Sequence, residues 1–129
     1  MDMKIYFPGG KKVYADYGEH TIQTDQPVRD GGENTAPAPF DLFLASMGTC
    51  AGIYVLGFCQ QRDIPTEGLS LTQTLDYNRE TKLIEQVNLD ITLPKDFPDK
   101  YKSAILNVAN LCTVKRHLLQ PPSIKITTK

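Results

Sequence analysis

The run from Phe40 to Cys59 constrains the fold of this chain more than any other segment, because it is almost uniformly apolar over a length typical of a helix. Pro39 fits the first helical position, where its missing N–H costs nothing, and Asp41 falls in the first turn, where the helix dipole favours a negative charge. We predict a helix from Pro39 to about Gln61 that stops before Pro65. Because this helix is apolar on every side, it is either a core helix or a membrane span.

Two glycines in this run bear on that choice. Gly48 and Gly52 form a G-x-x-x-G pattern, a spacing that lets transmembrane helices pack closely. Against a membrane span, the polar run Gln60–Asp63 abuts one end, Asp41 lies inside the other, and no second long apolar segment accompanies it. The strand-like segments on both sides also need a core to pack on. The sequence therefore favours a central buried helix and no membrane partner, with small residues that let a sheet or a partner helix approach its backbone.

The remainder of the chain carries strand patterns on both sides of the helix. Short apolar runs bounded by turn residues, and longer runs in which apolar and polar residues alternate, both predict strands. The predicted strands are Lys4–Phe7, Lys12–Tyr17, His20–Asp25, Leu69–Tyr77, Leu83–Leu93 and Ile124–Ile126. The two longest form an antiparallel hairpin with one buried face, joined by a turn at Asn78–Lys82.

Helical spacing returns in the last third of the chain. Apolar residues recur at this spacing from Tyr101 to Cys112, with Asn110 as a candidate end and Thr113–Leu119 as a candidate second helix. Residues 26–38 are rich in Gly, Pro and polar side chains, which predicts an irregular loop. The order of strands, helix, two strands, helices and strand predicts one α+β domain over residues 1–129.

Composition excludes several classes of protein. A chain of 129 residues can bury a core without disulfides, and its net charge of −1 does not favour binding to nucleic acid or to an anionic membrane. The three cysteines are an odd number, and the start of the chain lacks the basic and apolar regions of a secretory signal. We therefore expect a cytoplasmic protein. The absence of a C-x-x-C motif or zinc-ligand spacing predicts no metal, and no other cofactor is expected.

The position of Cys50 in the middle of the apolar helix has two readings. A free cysteine is among the most buried residue types and behaves as a small hydrophobe, so position alone favours Cys50 as a core residue over Cys50 as a nucleophile. Cys59 lies about 900° further round the helix and points to the opposite side, which predicts a core role.

Cys112 has a more polar setting. If Thr113 begins a helix, the Cys112 sulfur lies near unsatisfied N–H groups that stabilise a thiolate. If the preceding helix runs on, Lys115 and Arg116 act in the same direction. The alternative is that these cations and His117 form a solvated face, and that Cys112 completes an apolar stripe.

Arg29 and Glu33 lie in the loop before the long helix. An arginine in such a loop can stabilise a thiolate or the oxygen of an attacked peroxide, and a carboxylate can orient its guanidinium. Asp30 is a second acidic neighbour. Most charged loop residues are simply solvated.

Two segments, GGENTAPAPFDLFLASMGTC and NLCTVKRHLLQPP, resemble the OsmC/Ohr family, the osmotically inducible and organic hydroperoxide resistance proteins. The shared features are a Pro-led helix that reaches G-x-C about ten residues in, and C-x-V at the start of a second helix. The likeness extends over nearly the whole chain and is greatest to the short OsmC-like branch. It implies antiparallel sheets packed around a long central helix, in an intertwined homodimer with two thiol sites at its interface.

The resemblance also implies a chemistry. It identifies Cys50 as the peroxidatic thiol and Cys112 as the resolving thiol of a peroxidase that reduces small organic hydroperoxides. The reaction implied by the resemblance passes through a Cys50 sulfenic acid and a Cys50–Cys112 disulfide, which a dithiol of lipoyl type reduces. An apolar pocket around Cys50 would favour organic peroxides over hydrogen peroxide.

One position departs from the family pattern. The hydroperoxide resistance enzymes have Pro-Glu at the start of this helix, where the glutamate orients the catalytic arginine, whereas Phe40 follows Pro39 here. Arg29 is the nearest candidate arginine by spacing, and the pair Arg29–Glu33 could substitute. The alternatives are a non-enzymatic OsmC-fold protein that binds a small hydrophobic ligand or senses oxidation, and a purely structural dimerisation domain with two inert thiols.

Overall fold

The computed structural model describes residues 1–129 and has an α+β fold, as predicted. The strands are β1 (Lys4–Gly9), β2 (Lys12–Tyr17), β3 (His20–Thr24), β4 (Ser70–Asn78) and β5 (Leu83–Thr92), and the helices are α1 (Pro39–Gln61), α2 (Lys102–Ala109) and α3 (Thr113–Leu119). The chain divides into two compact units, residues 1–45 and 46–129, and the boundary falls within α1.

The first unit contains a three-stranded antiparallel sheet in the order β1-β2-β3. Gly10 and Gly18 occupy the two turns with φ of 57° and 53°, a left-handed conformation that glycine adopts without a steric penalty. After β3 the chain forms the irregular loop that the composition predicts, interrupted only by a short 3₁₀ turn at Val28–Asp30.

Within that loop, Gly32 lies directly against the backbone of Gln26. A Cβ atom at Gly32 would overlap the carbonyl group of Gln26, and a backbone carbonyl cannot rotate away as a side chain can. The loop is further closed by a hydrogen bond in which the Asn34 N–H donates to the Gln26 carbonyl at 3.0 Å. The close approach of two backbone segments is therefore the reason for glycine at this position.

The second unit is built on α1 and the β4–β5 hairpin. The hairpin is antiparallel, with Leu71 opposite Ile91 and a bulge after Asp76. Its turn is stabilised by Asn78, whose side-chain oxygen accepts the N–H groups of the two residues Glu80 and Thr81. Asparagine is common in such turns because its side chain can bond to nearby backbone N–H groups. The antiparallel pairing of β4 and β5 confirms the predicted hairpin.

The core of the second unit lies between α1, α2 and the hairpin. Its buried members are Val55, Phe58, Cys59, Phe97 and Ile105, and partly buried residues of β4, β5 and α2 pack around them. Cys59 is fully buried, as its spacing from Cys50 predicts, and this burial raises the pKa of its thiol despite the nearby Arg62 cation.

Helix α1 begins at Pro39 and ends at Gln61, as predicted, but one chain covers only part of its surface. The buried positions are Ala51, Val55, Phe58 and Cys59, whereas Phe40, Phe43 and Ile53 are exposed. By length and composition alone, α1 is the one helix that could cross a membrane, a property that it shares with core helices of soluble proteins.

The two glycines of α1 differ in their surroundings. A Cβ atom at Gly48 would lie 2.8 Å from the side-chain oxygen of Gln73 on β4, whereas Gly52 has no such neighbour within 4 Å. Close approach of the sheet to α1, which the small residues predict, is therefore confirmed at Gly48 and not at Gly52.

The predicted last strand at Ile124–Ile126 is wrong for the single chain. Residues 120–129 form neither helix nor strand, and Ile124 and Ile126 are 85% and 90% exposed. Alternation gives a segment one apolar face, but a strand also needs a neighbouring edge, and no strand of this chain pairs with the segment.

Substitution by alanine is expected to have opposite effects on stability at Gly32 and at Gly57, a glycine of α1. We expect Gly32→Ala to destabilise the protein by about 1–3 kcal/mol, because the overlap with the Gln26 backbone must be relieved by moving the loop. We expect the matched control Gly57→Ala to be neutral or stabilising by up to about 1 kcal/mol, because its Cβ meets no atom within 4 Å and alanine favours a helix. Chemical denaturation measures both, and equal stability of the two variants would contradict the prediction.

Candidate thiol active site

The structure brings together the two cysteines that the family resemblance implies to be a redox pair. Cys50 lies in the middle of α1 and is partly exposed, and Cys112 immediately precedes α3 and is buried with 3% of its surface accessible. Both are free thiols, and the Cys112 thiol is hydrogen-bonded to the Cys50 sulfur.

Cys112 is held in place as the N-cap of α3. Its backbone is extended, with φ −55° and ψ 136°, and its sulfur accepts the N–H of Lys115 at 3.3 Å. Serine, threonine, aspartate or asparagine usually takes this position, so the sulfur substitutes for a capping oxygen. The predicted end of α2 and start of α3 at Asn110 and Thr113 are confirmed to within a residue, and the alternative of one continuous helix is wrong.

Opposing effects act on the Cys50 thiol. Partial burial raises its pKa, because a thiolate loses water there. Hydrogen bonds from the Val114 N–H, the Cys112 thiol and the Thr113 N–H favour the thiolate and together outweigh burial. The pKa of Cys50 is therefore lowered from its ordinary value, which favours the thiolate, the nucleophilic form of cysteine.

The N–H groups at the start of α3 are divided between the two sulfurs. The prediction that the Cys112 sulfur lies near such groups is confirmed by its hydrogen bond from the Lys115 N–H, whereas the Thr113 and Val114 N–H groups are directed at Cys50. The cations after Cys112 have other local partners. Lys115 donates through its ammonium to the side-chain oxygen of Asn110 at 2.6 Å, and the His117 ring donates to the Thr113 carbonyl at 2.7 Å.

Tyr54 belongs to the site but was missed in the sequence. Its hydroxyl lies 3.2 Å from the hydroxyl of Thr113, a residue 59 positions away. Tyr54 follows Cys50 by four residues and so lies on the same side of α1. That spacing was available in the sequence, but nothing in the sequence indicated Thr113 as its partner.

An open cavity of about 360 Å³ lies beside this site. Its walls come from α1, from Arg62 just beyond α1, and from α2, and are formed by Ile53, Tyr54, Gly57, Phe58, Gln61, Arg62 and Val108. The Arg62 guanidinium lies 3.6 Å from the centre of the Phe58 ring and donates to the Phe58 carbonyl at 3.1 Å. Cys50 does not line this cavity, and Tyr54, one helical turn further on, is the residue that the cavity and the thiol site share.

Arg29 and Glu33 lie in the first unit and are not paired with each other. The Arg29 side chain is 3.7 Å from the Asp30 carboxylate, and Glu33 accepts from the Lys12 ammonium at 3.2 Å. Both are exposed ion pairs of the kind that contributes little to stability. The hypothesis of an Arg29–Glu33 pair therefore lacks the contact on which it depends.

The start of α1 shows what replaces the family glutamate. Phe40 is exposed and stacks on Phe43, with ring centres 5.6 Å apart. Asp41 accepts the Ala38 N–H at 3.3 Å, a local contact at the beginning of the helix. The carboxylate nearest to the expected position therefore has a role in helix initiation.

The loop that carries Arg29 and Glu33 is anchored by Asp25. This carboxylate is 1% exposed and accepts hydrogen bonds from the Thr35 hydroxyl at 2.6 Å, the Thr35 N–H at 3.0 Å and the Gln26 N–H at 2.7 Å. The hydrogen bonds from Thr35, followed by those from the other backbone N–H groups, lower the pKa of Asp25 to about 2. They outweigh the loss of water around the carboxylate, which on its own raises the pKa.

Comparison with known families gives the assignment. The model of the OsmC-like protein family matches residues 32–127, which include the helix with Cys50 and the segment with Cys112. The chain belongs to the OsmC-like family. Comparison with curated protein sequences gives no significant match.

Solved structures share the OsmC-like fold. One, from Psychrobacter arcticus, is provisionally described as an osmotic stress induced and detoxification response protein; it has 23% identity, a TM-score of 0.72, and a match covering 88% of this chain and 85% of that one. Another is an organic hydroperoxide resistance protein OsmC and predicted redox protein from Legionella pneumophila, with 20% identity, a TM-score of 0.52 and coverage of 92% and 89%. At such identities these likenesses show the fold alone.

The Asp25 anchor predicts a specific pH dependence. Because the pKa is about 2 in the folded protein and 3.8 ordinarily, the carboxylate contributes stability that is complete above about pH 5 and is lost progressively as the pH falls through 2. Asp25→Asn removes this contribution, since an amide cannot accept all of these hydrogen bonds. We expect the difference in melting temperature between wild type and variant to be constant from pH 7 to 5 and to shrink between pH 4 and 2. A difference that does not change with pH would contradict the assignment.

Proposed function

We propose that this OsmC-like protein is a thiol-dependent peroxidase that reduces organic hydroperoxides in the cytoplasm. The observation that supports the proposal most is the environment of Cys50, whose sulfur receives hydrogen bonds from two backbone N–H groups and from the Cys112 thiol. A thiolate is the reactive form of cysteine, and a second thiol in contact with it can resolve the oxidised product.

The proposed reaction has three steps. The Cys50 thiolate attacks the terminal oxygen of the hydroperoxide, the O–O bond breaks, and the alkoxide takes up a proton and leaves as an alcohol. Cys50 is then a sulfenic acid, and Cys112 attacks its sulfur to form the disulfide and release water. An external dithiol, for which a lipoyl-type compound is the family expectation, reduces the disulfide to two thiols.

A homodimer forms part of the proposal. Each chain leaves Phe40, Phe43 and Ile53 of α1 exposed, together with the alternating Ile124 and Ile126 at its end. Exposed apolar surface of this kind is typical of a face that another chain covers. The segment with Ile124 and Ile126, which pairs with no strand of its own chain, would pair with a strand edge of the partner.

Counting thiols before and after one equivalent of cumene hydroperoxide tests the peroxidase. Under denaturing conditions, we expect wild type to fall from three titratable thiols to one, because Cys50 and Cys112 form a disulfide and Cys59 stays reduced. Cys59→Ser should still lose two thiols and serves as the matched control, whereas Cys50→Ser should lose none. An unchanged count in wild type would refute the proposal.

Two further measurements resolve the steps. Cys112→Ser should stop at the Cys50 sulfenic acid, which dimedone traps and mass spectrometry locates. Repeated turnover with a lipoyl-type dithiol then distinguishes an enzyme from a protein that is oxidised once.

Matched substitutions at the end of the chain test the dimer. We expect Ile126→Asp to shift the protein toward the monomer in sedimentation equilibrium, because a charge would replace apolar contact at the interface. Thr127→Asp, on the alternate side of the extended segment, should remain dimeric. A wild-type monomer would overturn the prediction, as would an equal effect of both substitutions.

An oxidation sensor without efficient turnover is the second candidate function. The observation that favours it is that Arg29 and Glu33 each pair with a different neighbour, Asp30 and Lys12, so the expected helper pair is not formed. A sensor would form the disulfide in the thiol count but would not turn over with the dithiol.

A further inference from the structure

Tyr54 connects α1 to the start of α3 at the thiol site. Its hydroxyl is 3.2 Å from the Thr113 hydroxyl, and Tyr54 lies one helical turn after Cys50 on α1. Thr113 is the first residue of α3, so this contact is made at the peptide groups that face the Cys50 sulfur. The same helix thus carries the thiol and a side chain that binds the segment opposite the thiol.

The two peptide N–H groups can act on the sulfur only if α3 begins at a fixed distance from α1. Two features fix that start: the Cys112 cap bonds to Lys115 within the α3 segment itself, and the Tyr54 hydroxyl bonds to Thr113 from α1. The first sets the local shape of the turn, and the second sets its position relative to the helix that carries Cys50.

We infer that Tyr54 is a positioning residue for the Cys50 nucleophile: through the hydroxyl of Thr113, it holds the first peptide groups of α3 against the Cys50 sulfur. This role rests on the proposed function, because it serves the reaction only if Cys50 is the thiol that attacks peroxide. Tyr54 also lines the cavity beside the site, so a molecule bound there would touch the side chain that positions these groups.

The other groups that act on Cys50 do not depend on the Tyr54 hydroxyl. The Cys112 thiol comes from the segment before α3 and keeps its own hydrogen bond to Lys115. Among the cations of α3, Lys115 is bonded to Asn110, His117 to the Thr113 carbonyl, and Arg116 is exposed. Removal of one hydroxyl therefore isolates the effect of the Tyr54–Thr113 contact.

The test is the pH dependence of Cys50 alkylation in Tyr54→Phe. Iodoacetamide labelling from pH 5 to 9.5, with each cysteine followed separately by peptide mass spectrometry, reports the thiolate of Cys50 and not peroxide turnover. We expect labelling of Cys50 at pH 7 to slow about 2- to 10-fold, the effect of losing one hydrogen bond. The midpoint of the pH profile should move to higher pH. The rate at high pH should not fall, since a thiolate of higher pKa is intrinsically more nucleophilic.

Further variants separate positioning from a structural effect. Thr113→Val should reproduce the shift, Thr113→Ser should retain the wild-type profile, and the double variant Tyr54→Phe/Thr113→Val should show no additional shift. Tyr77→Phe removes a hydroxyl from the β4–β5 hairpin and is the matched control, with an unchanged profile expected. An unchanged midpoint in Tyr54→Phe would overturn the inference, as would additive effects in the double variant. The thiol count with cumene hydroperoxide tests the proposed function independently, because its failure in wild type leaves the alkylation result intact.

Discussion

The site depends on one arrangement, in which the first peptide groups of α3 face the sulfur at the middle of α1. The Thr113 and Val114 N–H groups, together with the Cys112 thiol, offset the cost of placing a thiolate in partly buried surroundings. Much of the second unit serves this arrangement. The core residues hold α1 and α2 together, and α2 leads through Asn110 and Cys112 into α3.

The two cysteines differ in the direction of their hydrogen bonds. Cys112 donates its thiol proton to Cys50 and accepts the Lys115 N–H at 3.3 Å, whereas Cys50 is an acceptor from all three of its partners. In the proposed reaction, disulfide formation would replace the hydrogen bond between the two sulfurs with a covalent bond and leave a lone pair of Cys112 for the Lys115 N–H. The cap of α3 could then persist in both redox states, so the proposed oxidation would not require the helix to unwind.

Local patterns predicted most of the fold, and contacts between distant segments account for what was missed. Pro39 and the apolar run gave both ends of α1, and the alternation after Leu69 gave the hairpin, because both depend on neighbours in sequence. The last strand at Ile124–Ile126 was wrong because alternation along a segment does not show whether the segment lies against a strand edge. The motifs identified Cys50 and Cys112, but the contact between Tyr54 and Thr113 spans 59 positions and has no local signature. For the same reason, nothing in the sequence indicated that the Thr113 and Val114 N–H groups would face Cys50.

The surroundings of Cys50 lower its pKa without the glutamate that Phe40 replaces at the start of α1. The donors on Cys50 are peptide N–H groups and a thiol, which carry no net charge, so lowering the pKa of this thiol does not need a cation held by a carboxylate. Unlike an exposed ion pair, such short-range hydrogen bonds are little affected by salt. Any arginine in the reaction would therefore act on the peroxide, whose oxygen gains charge as the O–O bond breaks, rather than on the sulfur. Loss of the family glutamate would then affect the rate of peroxide attack and leave the ionisation of Cys50 unchanged.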